Sequence, residues 1–85
     1  MEIYYSPRFE REYKKIPKLI KLEAEKAETL FRKDPFDQNL KTHKLHGKLK
    51  EFWSFGINNK HRIVFEFVSE NIVWFHSIGD HSVYD

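Results

Sequence analysis

Cysteine is absent from this chain of 85 residues. A disulfide or a thiolate metal site is therefore impossible, and a reducing compartment is the simpler expectation. No apolar stretch approaches the roughly 18 residues that a membrane-spanning helix requires. Residues 1–5 show no basic segment followed by an apolar run, so we expect no signal peptide. Together these absences predict a cytoplasmic protein that does not engage a membrane.

Acidic residues are almost missing from the middle of the sequence. The net charge is only +2, yet from Lys41 to Arg62 six lysines and arginines accompany a single acid, Glu51. Beyond Arg62 there are four acids and no lysine or arginine. A local excess of positive charge favours a polyanionic partner, although a solvated lysine-rich loop would have the same composition. Four cations of this segment would attract RNA by charge alone: Lys44, Lys48, Lys50 and Lys60.

The N-terminal half predicts a strand and two helices within a single domain that spans residues 1–85. Residues 3–5 are β-prone. Ser6 and Pro7 form an N-cap and a proline-tolerant first helical position, and Pro17 ends this first helix. A second helix is predicted from about residue 18 to residue 33. Its buried side is predicted to contain Leu19, Leu22, either Lys26 or Ala27, and Leu30.

The C-terminal half predicts four strands. A short strand falls within residues 41–46, and longer ones cover 52–57, 61–68 and 72–78. Asn58 and Asn59 tolerate positive φ and predict a tight turn, so the last three strands form an antiparallel meander. We expect the aromatic face to pack on the helices and the face with Ser54 and Arg62 to meet solvent or substrate. The fold class is α+β, a βααββββ chain with a two-helix hairpin on a curled, mainly antiparallel sheet.

Several motifs of the second half resemble those of a known family. They are Leu45-His46-Gly47, Phe52-Trp53-Ser54, the run Ile57-Asn58-Asn59-Lys60-His61-Arg62-Ile63-Val64-Phe65, and the ending Gly79-Asp80-His81 with Val83-Tyr84. They resemble the RelE/ParE superfamily of bacterial type II toxins, and most closely its YoeB-like and YafQ-like mRNA interferases. The RelE-like order of elements covers the whole chain, but the likeness is specific only over about residues 43–84.

The resemblance implies a ribosome-dependent endoribonuclease that cleaves mRNA in the A site and so inhibits translation. Its partners would be the 70S ribosome, mRNA and a cognate antitoxin, with which it would form a hetero-oligomer. No cofactor is expected in that family. Because the ParE branch shares the fold, a non-catalytic poison of DNA gyrase is the alternative, and an inactive RNA-binding relative is the third.

Histidines are the candidates for the proton transfers that RNA cleavage needs. In a metal-free reaction a base activates the 2′-hydroxyl, an acid protonates the departing 5′ oxygen, and cations hold the phosphoryl charge. An imidazole suits both proton roles, since its ordinary pKa is about 6.5. His43, at the position of a functional His in YafQ-like chains and of an acidic base in YoeB-like ones, is the predicted base. His81, which matches the C-terminal His of both branches, is the predicted acid. Which of the two is base and which is acid stays open, and either could be an exposed, solvated side chain.

Arg62 is the predicted phosphate ligand, because a guanidinium is always charged and grips phosphate through two donors. An ion pair with Glu66 is its structural alternative. Tyr84 would orient the phosphate or stack on a base, or it would simply cap the core. His46 and His61 could stack on a base or take over the acid–base chemistry.

The chain departs from its relatives at four positions, one of which is His43, where YoeB-like chains have a glutamate. Ser54 and Gly56 replace the pair of lysines that the RelE branch carries in this strand, so that branch's mechanism cannot be copied. Lys60 stands where YafQ-like chains have an aspartate.

His43 and His46 lie three residues apart with no acid nearby, and we expect no metal site there.

Overall fold

The computed structural model describes residues 1–80 and 83, and within them two helices pack on one face of a five-stranded sheet. The elements in chain order are β1 (Glu2–Tyr5), α1 (Pro7–Lys15), α2 (Lys18–Lys33), β2 (His43–Lys44), β3 (Trp53–Gly56), β4 (Arg62–Ser69) and β5 (Ile72–Gly79). The strand order is β1-β5-β4-β3-β2, with β1 parallel to β5 and the other pairs antiparallel. The predicted α+β class and its βααββββ order are confirmed.

The first helix begins and ends where its capping residues and prolines predict. Pro7 is the first residue of α1, and the hydroxyl of Ser6 accepts a hydrogen bond from the backbone N–H of Phe9 at 2.9 Å. The same hydroxyl donates to the carbonyl of His76 at 2.6 Å, which fastens the start of the helix to β5. Pro17 separates α1 from α2 and forces the chain out of helical geometry before it.

The buried face of α2 differs from the predicted one. Leu19 is 75% exposed and Leu22 is 46% exposed, whereas Ala24, Ala27 and Phe31 are buried. These three residues follow a spacing of three and four, so they form one stripe, and the two leucines lie off it. The small alanines let the helix lie close to the sheet while Phe31 fills the space between them. The prediction was wrong for Leu19 and Leu22, correct for Ala27, and correct in part for the half-buried Leu30.

Four fully buried phenylalanines form the centre of the main core. Phe31 projects from α2 into a cluster made by one ring from each central strand: Phe55 on β3, Phe65 on β4 and Phe75 on β5. The ring centroid of Phe31 lies 4.7, 4.9 and 5.6 Å from the ring centroids of Phe55, Phe65 and Phe75. Such distances are within the range of favourable aromatic pairs. One helical side chain therefore joins the helix layer to all three strands of the meander.

The sheet face opposite the helices is less open than predicted. Leu45, Val64 and Val83 form a second buried cluster there, with Leu49 and Phe52 packed against it. The chain between β2 and β3, which includes a single 3-10 turn at Gly47–Leu49, folds over this face and covers it. The face therefore meets solvent only in part.

The turn between β3 and β4 is held by a side chain. The Oδ1 atom of Asn58 accepts hydrogen bonds from the backbone N–H groups of Lys60 and His61, at 2.8 and 2.7 Å. Among the described residues, Lys41 is the only non-glycine residue with positive φ, so neither Asn58 nor Asn59 adopts the left-handed conformation that was considered. An asparagine makes this kind of turn readily, because its amide mimics a backbone peptide.

None of the helices in the described ranges has the length and apolarity to cross a bilayer.

Candidate functional site

Arg62 stands between two glycines in the sheet. It is the first residue of β4, and its partners in register are Gly56 on β3 and Gly79 on β5. Neither neighbouring strand has a side chain at this level, but the side chain of Val83 fills the space beside Gly79, where an added Cβ atom would lie 2.9 Å from its Cγ1 atom. The Nε atom of Arg62 is buried while the residue as a whole is half-buried. The sheet therefore holds the buried part of the Arg62 side chain, and the rest of the residue is partly exposed to solvent.

His43 is oriented by a backbone carbonyl. Its Nδ1 atom lies 3.0 Å from the carbonyl oxygen of Lys41. Lys41 has φ of 52°, in the left-handed region, and this conformation belongs to the turn that leads into β2. A carbonyl can only accept a hydrogen bond, so Nδ1 must carry the proton. In the neutral ring the lone pair then lies on Nε2.

The register of the strands brings His43 and Arg62 to the same clefts. His43 pairs with Ser54 on β3, and Ser54 is two residues from Gly56, the partner of Arg62. A cleft of ≈ 420 Å³ on this side is lined by Asn39, Lys41, His43, Ser54, Gly56, Ile57, Asn58, Asn59 and Arg62. A second cleft of ≈ 390 Å³ is lined by His43, Leu45, His46, Lys48, Leu49 and Arg62. Hence the two residues that line both clefts are His43 and Arg62.

Both clefts are electropositive. None of the described residues that line them is an aspartate or a glutamate. Lys41 lines the first cleft and Lys48 the second, in addition to the shared Arg62. A concave surface with cations and no carboxylate attracts an anion, because its field lines are concentrated between low-dielectric walls.

The remaining predicted residues lie outside both linings or beyond the described part of the chain. Lys44, Lys50 and Lys60 are exposed and line neither cleft. His61 is half-buried, with its Nδ1 atom 3.3 Å from Oδ1 of Asn58, and it also lies outside both linings. His81 and Tyr84 fall outside the residues that the structure describes, so the predicted acid and phosphate-orienting tyrosine are not placed. Within residues 1–80 and 83, no group of three His, Cys, Asp or Glu side chains is arranged to hold a metal ion.

Sequence reasoning missed His76, which lies at a β-bulge. Val64 pairs with Ser77 and Phe65 with Phe75, so His76 is an extra residue on β5. Its ring packs against Phe52 at 4.8 Å between centroids, and its Nδ1 atom is buried without a hydrogen-bond partner among the described residues. The alternation of residues along β5 conceals a bulge, because a bulge is defined by the partner strand. The one available signal was a histidine inside the aromatic run Trp74-Phe75-His76.

Burial disfavours the protonated form of His76 in the folded state. Desolvation lowers the pKa of His76 below its ordinary value of 6.5, and the nearby charge of Arg8 lowers it further. Glu12 and Glu66 oppose this shift with a smaller effect. Since the unfolded chain then binds a proton more readily, the contribution of His76 to stability is complete above about pH 6.5 and is lost as the pH falls below that value.

We therefore expect His76→Phe to reduce the acid sensitivity of the fold. Phenylalanine keeps an aromatic ring beside Phe52 and removes the titrating group. The free energy of unfolding, measured by urea denaturation at pH 7.5 and pH 5.5, should fall less in the variant than in the wild type. The exposed His46, changed to Gln, is the matched control and should keep the wild-type fall. An equal fall in His76→Phe and in the wild type would show that another group causes it.

Comparisons with known proteins agree with this architecture. No family model and no curated protein sequence matches the chain. Among solved structures, YafQ from E. coli strain BL21(DE3) matches with a TM-score of 0.80 at 18% identity, over 98% of this chain and 96% of that one. A YoeB/ParE toxin from Agrobacterium tumefaciens gives 0.79 at 18% identity, over 95% and 99%. The E. coli DinJ-YafQ toxin-antitoxin complex gives 0.77 at 20% identity, over 96% and 93%.

These matches define the class of fold. The chain has the α+β architecture of the YafQ and YoeB/ParE toxins, two helices on a mixed and open five-stranded sheet, over nearly its full length. The predicted resemblance to the RelE/ParE superfamily, and to its YoeB-like and YafQ-like members, is therefore confirmed at the level of the fold.

Proposed function

We propose that the chain is the toxin of a type II toxin–antitoxin system and acts as an endoribonuclease on mRNA in the A site of the 70S ribosome. One observation carries this proposal: an imidazole whose Nδ1 atom is held by a backbone carbonyl and a guanidinium line the same two clefts, whose described linings contain no acid. A base and a fixed cation beside an anion-attracting surface are what phosphodiester cleavage requires. The shared fold with YafQ and YoeB/ParE toxins supports the assignment.

The reaction follows from the chemistry of these groups. Nε2 of His43 takes the proton of a ribose 2′-hydroxyl, and the 2′ oxygen forms a bond to the adjacent phosphorus. The bond from phosphorus to the 5′ oxygen of the next nucleotide breaks, and His81, proposed as the acid, supplies the proton to that oxygen. Arg62 donates to the non-bridging oxygens as their charge increases. The products are a 2′,3′-cyclic phosphate and a 5′-hydroxyl, and Tyr84 is proposed to help orient the phosphate.

The surrounding cations are proposed to hold the RNA by charge. His46 and Lys48 line the second cleft beside Arg62, and three further lysines are exposed outside its lining: Lys44, Lys50 and Lys60. His61, which immediately precedes β4, would join them. Contacts of this kind act on the phosphate backbone of mRNA or ribosomal RNA irrespective of sequence, and they weaken as salt concentration increases.

A cognate antitoxin is the proposed protein partner. The E. coli structure that matches this chain with a TM-score of 0.77 is a complex of YafQ with DinJ, described as a toxin-antitoxin complex. A nuclease that acts on translating ribosomes in the cytoplasm would need such an inhibitor, and we propose that the two proteins form a hetero-oligomer.

Arg62→Ala provides the direct test of this function. We expect the rate of cleavage of ribosome-bound mRNA to fall about 10²–10³-fold, because one preorganised donor to the developing phosphoryl charge is removed. Arg62→Lys should recover only part of the activity, since an ammonium lacks the paired donors of a guanidinium. Arg11→Ala, an exposed arginine of α1 on the helical side of the sheet, is the matched control. Cleavage is measured by primer extension on translated mRNA, alongside growth arrest.

The same experiment separates the alternatives. A wild-type chain that arrests growth without cutting mRNA, and that instead causes breaks in DNA, would be a gyrase poison of the ParE type. A wild-type chain that binds RNA but neither cuts it nor arrests growth would be an inactive relative. Full activity in Arg62→Ala would overturn the proposed mechanism.

A further inference from the structure

We infer that the cleft beside Gly56 is a nucleobase pocket, in which the amides of Asn39 and Asn59 read the base of a nucleotide next to the cleaved phosphate. This inference rests on the proposed nuclease function and adds a determinant of cut-site preference to it.

The floor of this pocket is almost free of side chains. Gly56 and the buried Ser54 contribute the strand surface, and both line the ≈ 420 Å³ cleft. A Cβ atom built on Gly56 would meet only two backbone atoms within 4 Å, the carbonyl oxygens of Leu40 at 3.6 Å and of Asn58 at 3.7 Å. These are ordinary van der Waals contacts, so a methyl group would fit at Gly56 without displacing a neighbour. A flat, rigid ring fits against such a surface better than a flexible chain does, and the volume is within the roughly 300–1,000 Å³ typical of small-molecule sites.

The pocket lining combines two kinds of side chain. His43, Lys41 and Arg62 supply imidazole and positive charge. Asn39, Asn58 and Asn59 are neutral amides, which can donate and accept hydrogen bonds. A nucleotide has the same division, with an anionic phosphate and a neutral base that offers hydrogen-bond donors and acceptors. The pocket therefore matches a nucleotide whose phosphate lies at Arg62 and whose base lies towards the asparagines.

The three asparagines that line the pocket, Asn39, Asn58 and Asn59, have different roles. Asn58 is committed to the fold, because its Oδ1 atom accepts from Lys60 and His61 and its Nδ2 atom donates to Glu23 at 3.0 Å. Asn39 and Asn59 are exposed, and their side-chain amides make no hydrogen bond to any residue that the structure describes. Only the backbone N–H of Asn39 does so, to Asp37. A primary amide offers one acceptor and two donors in a plane, which is the arrangement that pairs with the edge of a base. Asn58 thus shapes the turn, and Asn39 and Asn59 are available to the ligand.

Substitutions of these two amides test the inference through the choice of cut site. With wild-type protein, mapped cuts on translated mRNA should favour particular bases at one position beside the cleaved bond. In Asn39→Ala and Asn59→Ala this preference should weaken about tenfold, because one good amide–base pair gives discrimination of that order. Asn59→Asp, which can only accept, should shift the preference away from uracil and towards the three bases with an exocyclic amino group, adenine, cytosine and guanine. Asn71→Ala, an exposed turn residue at the opposite end of β4, is the matched control.

Substitutions at Gly56 test the shape of the floor. Gly56→Ala should fold normally, given the 3.6 and 3.7 Å contacts, whereas Gly56→Leu should occupy the space of the base. In Gly56→Leu we expect a loss of base preference together with a higher KM. Circular dichroism and thermal unfolding establish that both variants are folded, so that a misfolded protein is not read as a blocked pocket.

Nucleotide binding provides a readout that does not depend on catalysis. Titration of the wild-type chain with the four nucleoside 3′-monophosphates, followed by amide NMR shifts, should perturb residues 39, 56 and 59. Ribose phosphate, which has no base, should perturb the region of Arg62 and leave those three unchanged. If Arg62→Ala abolishes cutting while base preference is unaltered in all asparagine and Gly56 variants, the pocket is refuted and the nuclease function stands. If the wild type cuts no RNA, the nuclease function fails, and absence of shifts at 39, 56 and 59 would refute the pocket as well.

Discussion

Replacing His43 with glutamine is expected to reduce the rate of mRNA cleavage by about 10²–10⁴-fold, the range typical of a lost general base. Glutamine is polar and similar in size, but it cannot take a proton from a 2′-hydroxyl. The carbonyl of Lys41, which holds Nδ1 at 3.0 Å, sets the lone pair on Nε2 and so assigns the base to one atom. Single-turnover cleavage on programmed ribosomes measures this rate without interference from product release.

His46→Gln is the matched control for that substitution. His46 lines only the second cleft, whereas His43 lines both. We expect its change to affect mainly RNA affinity and to leave most of the single-turnover rate intact at saturating ribosome concentration. If His46→Gln loses activity and His43→Gln retains it, the base is His46 and the assignment from the Lys41 contact is wrong.

Phe31→Ala is expected to cost about 3–5 kcal/mol of stability, the range for removal of a fully buried phenylalanine. Its ring contacts phenylalanines of β3, β4 and β5 and has no exposed surface, so α2 would lose a ring that packs against all three strands. Domains of this size have roughly 5–15 kcal/mol in total, so the variant would be close to unfolding. The measurement is the urea midpoint, with the m-value checked for constancy.

Leu19→Ala is the matched control for Phe31→Ala. Leu19 is also an apolar residue of α2, but it is 75% exposed, and its truncation should change stability by no more than about 0.5 kcal/mol. Comparable losses in Leu19→Ala and Phe31→Ala would mean that α2 presents a different face to the sheet from the one described.

Local sequence signals predicted the elements of this fold because short-range chemistry determines them. Ser6, Pro7 and Pro17 delimit α1 through capping and the missing proline N–H, and alternating aromatics mark the meander. The face of α2 was mispredicted because hydrophobicity gave leucine more weight than alanine, although helix–sheet approach here requires small residues. The second cluster of Leu45, Val64 and Val83 was not predictable, since it depends on how the chain from 45 to 52 folds over the sheet.

The site was predictable to the extent that it follows strand register. His43 and Arg62 came from the motifs, and pairing across β3 places both beside the same clefts. Asn39 and the positive φ of Lys41 could not be foreseen, because the turn that supplies them is positioned by the sheet edge. His76 was concealed by a bulge that only the pairing with β4 reveals. The roles proposed for His81 and Tyr84 remain predictions from the motifs.

The chemistry of the cut ends tests the proposed mechanism most directly. Attack by the neighbouring 2′-hydroxyl, with His43 as base and Arg62 on the phosphate, leaves a 2′,3′-cyclic phosphate on the upstream fragment and a 5′-hydroxyl on the downstream one. We predict that downstream fragments from translated mRNA can be labelled by polynucleotide kinase without prior phosphatase treatment. Fragments with 5′-phosphate and 3′-hydroxyl ends would mean that water attacks the phosphate, and the role given to His43 would be wrong.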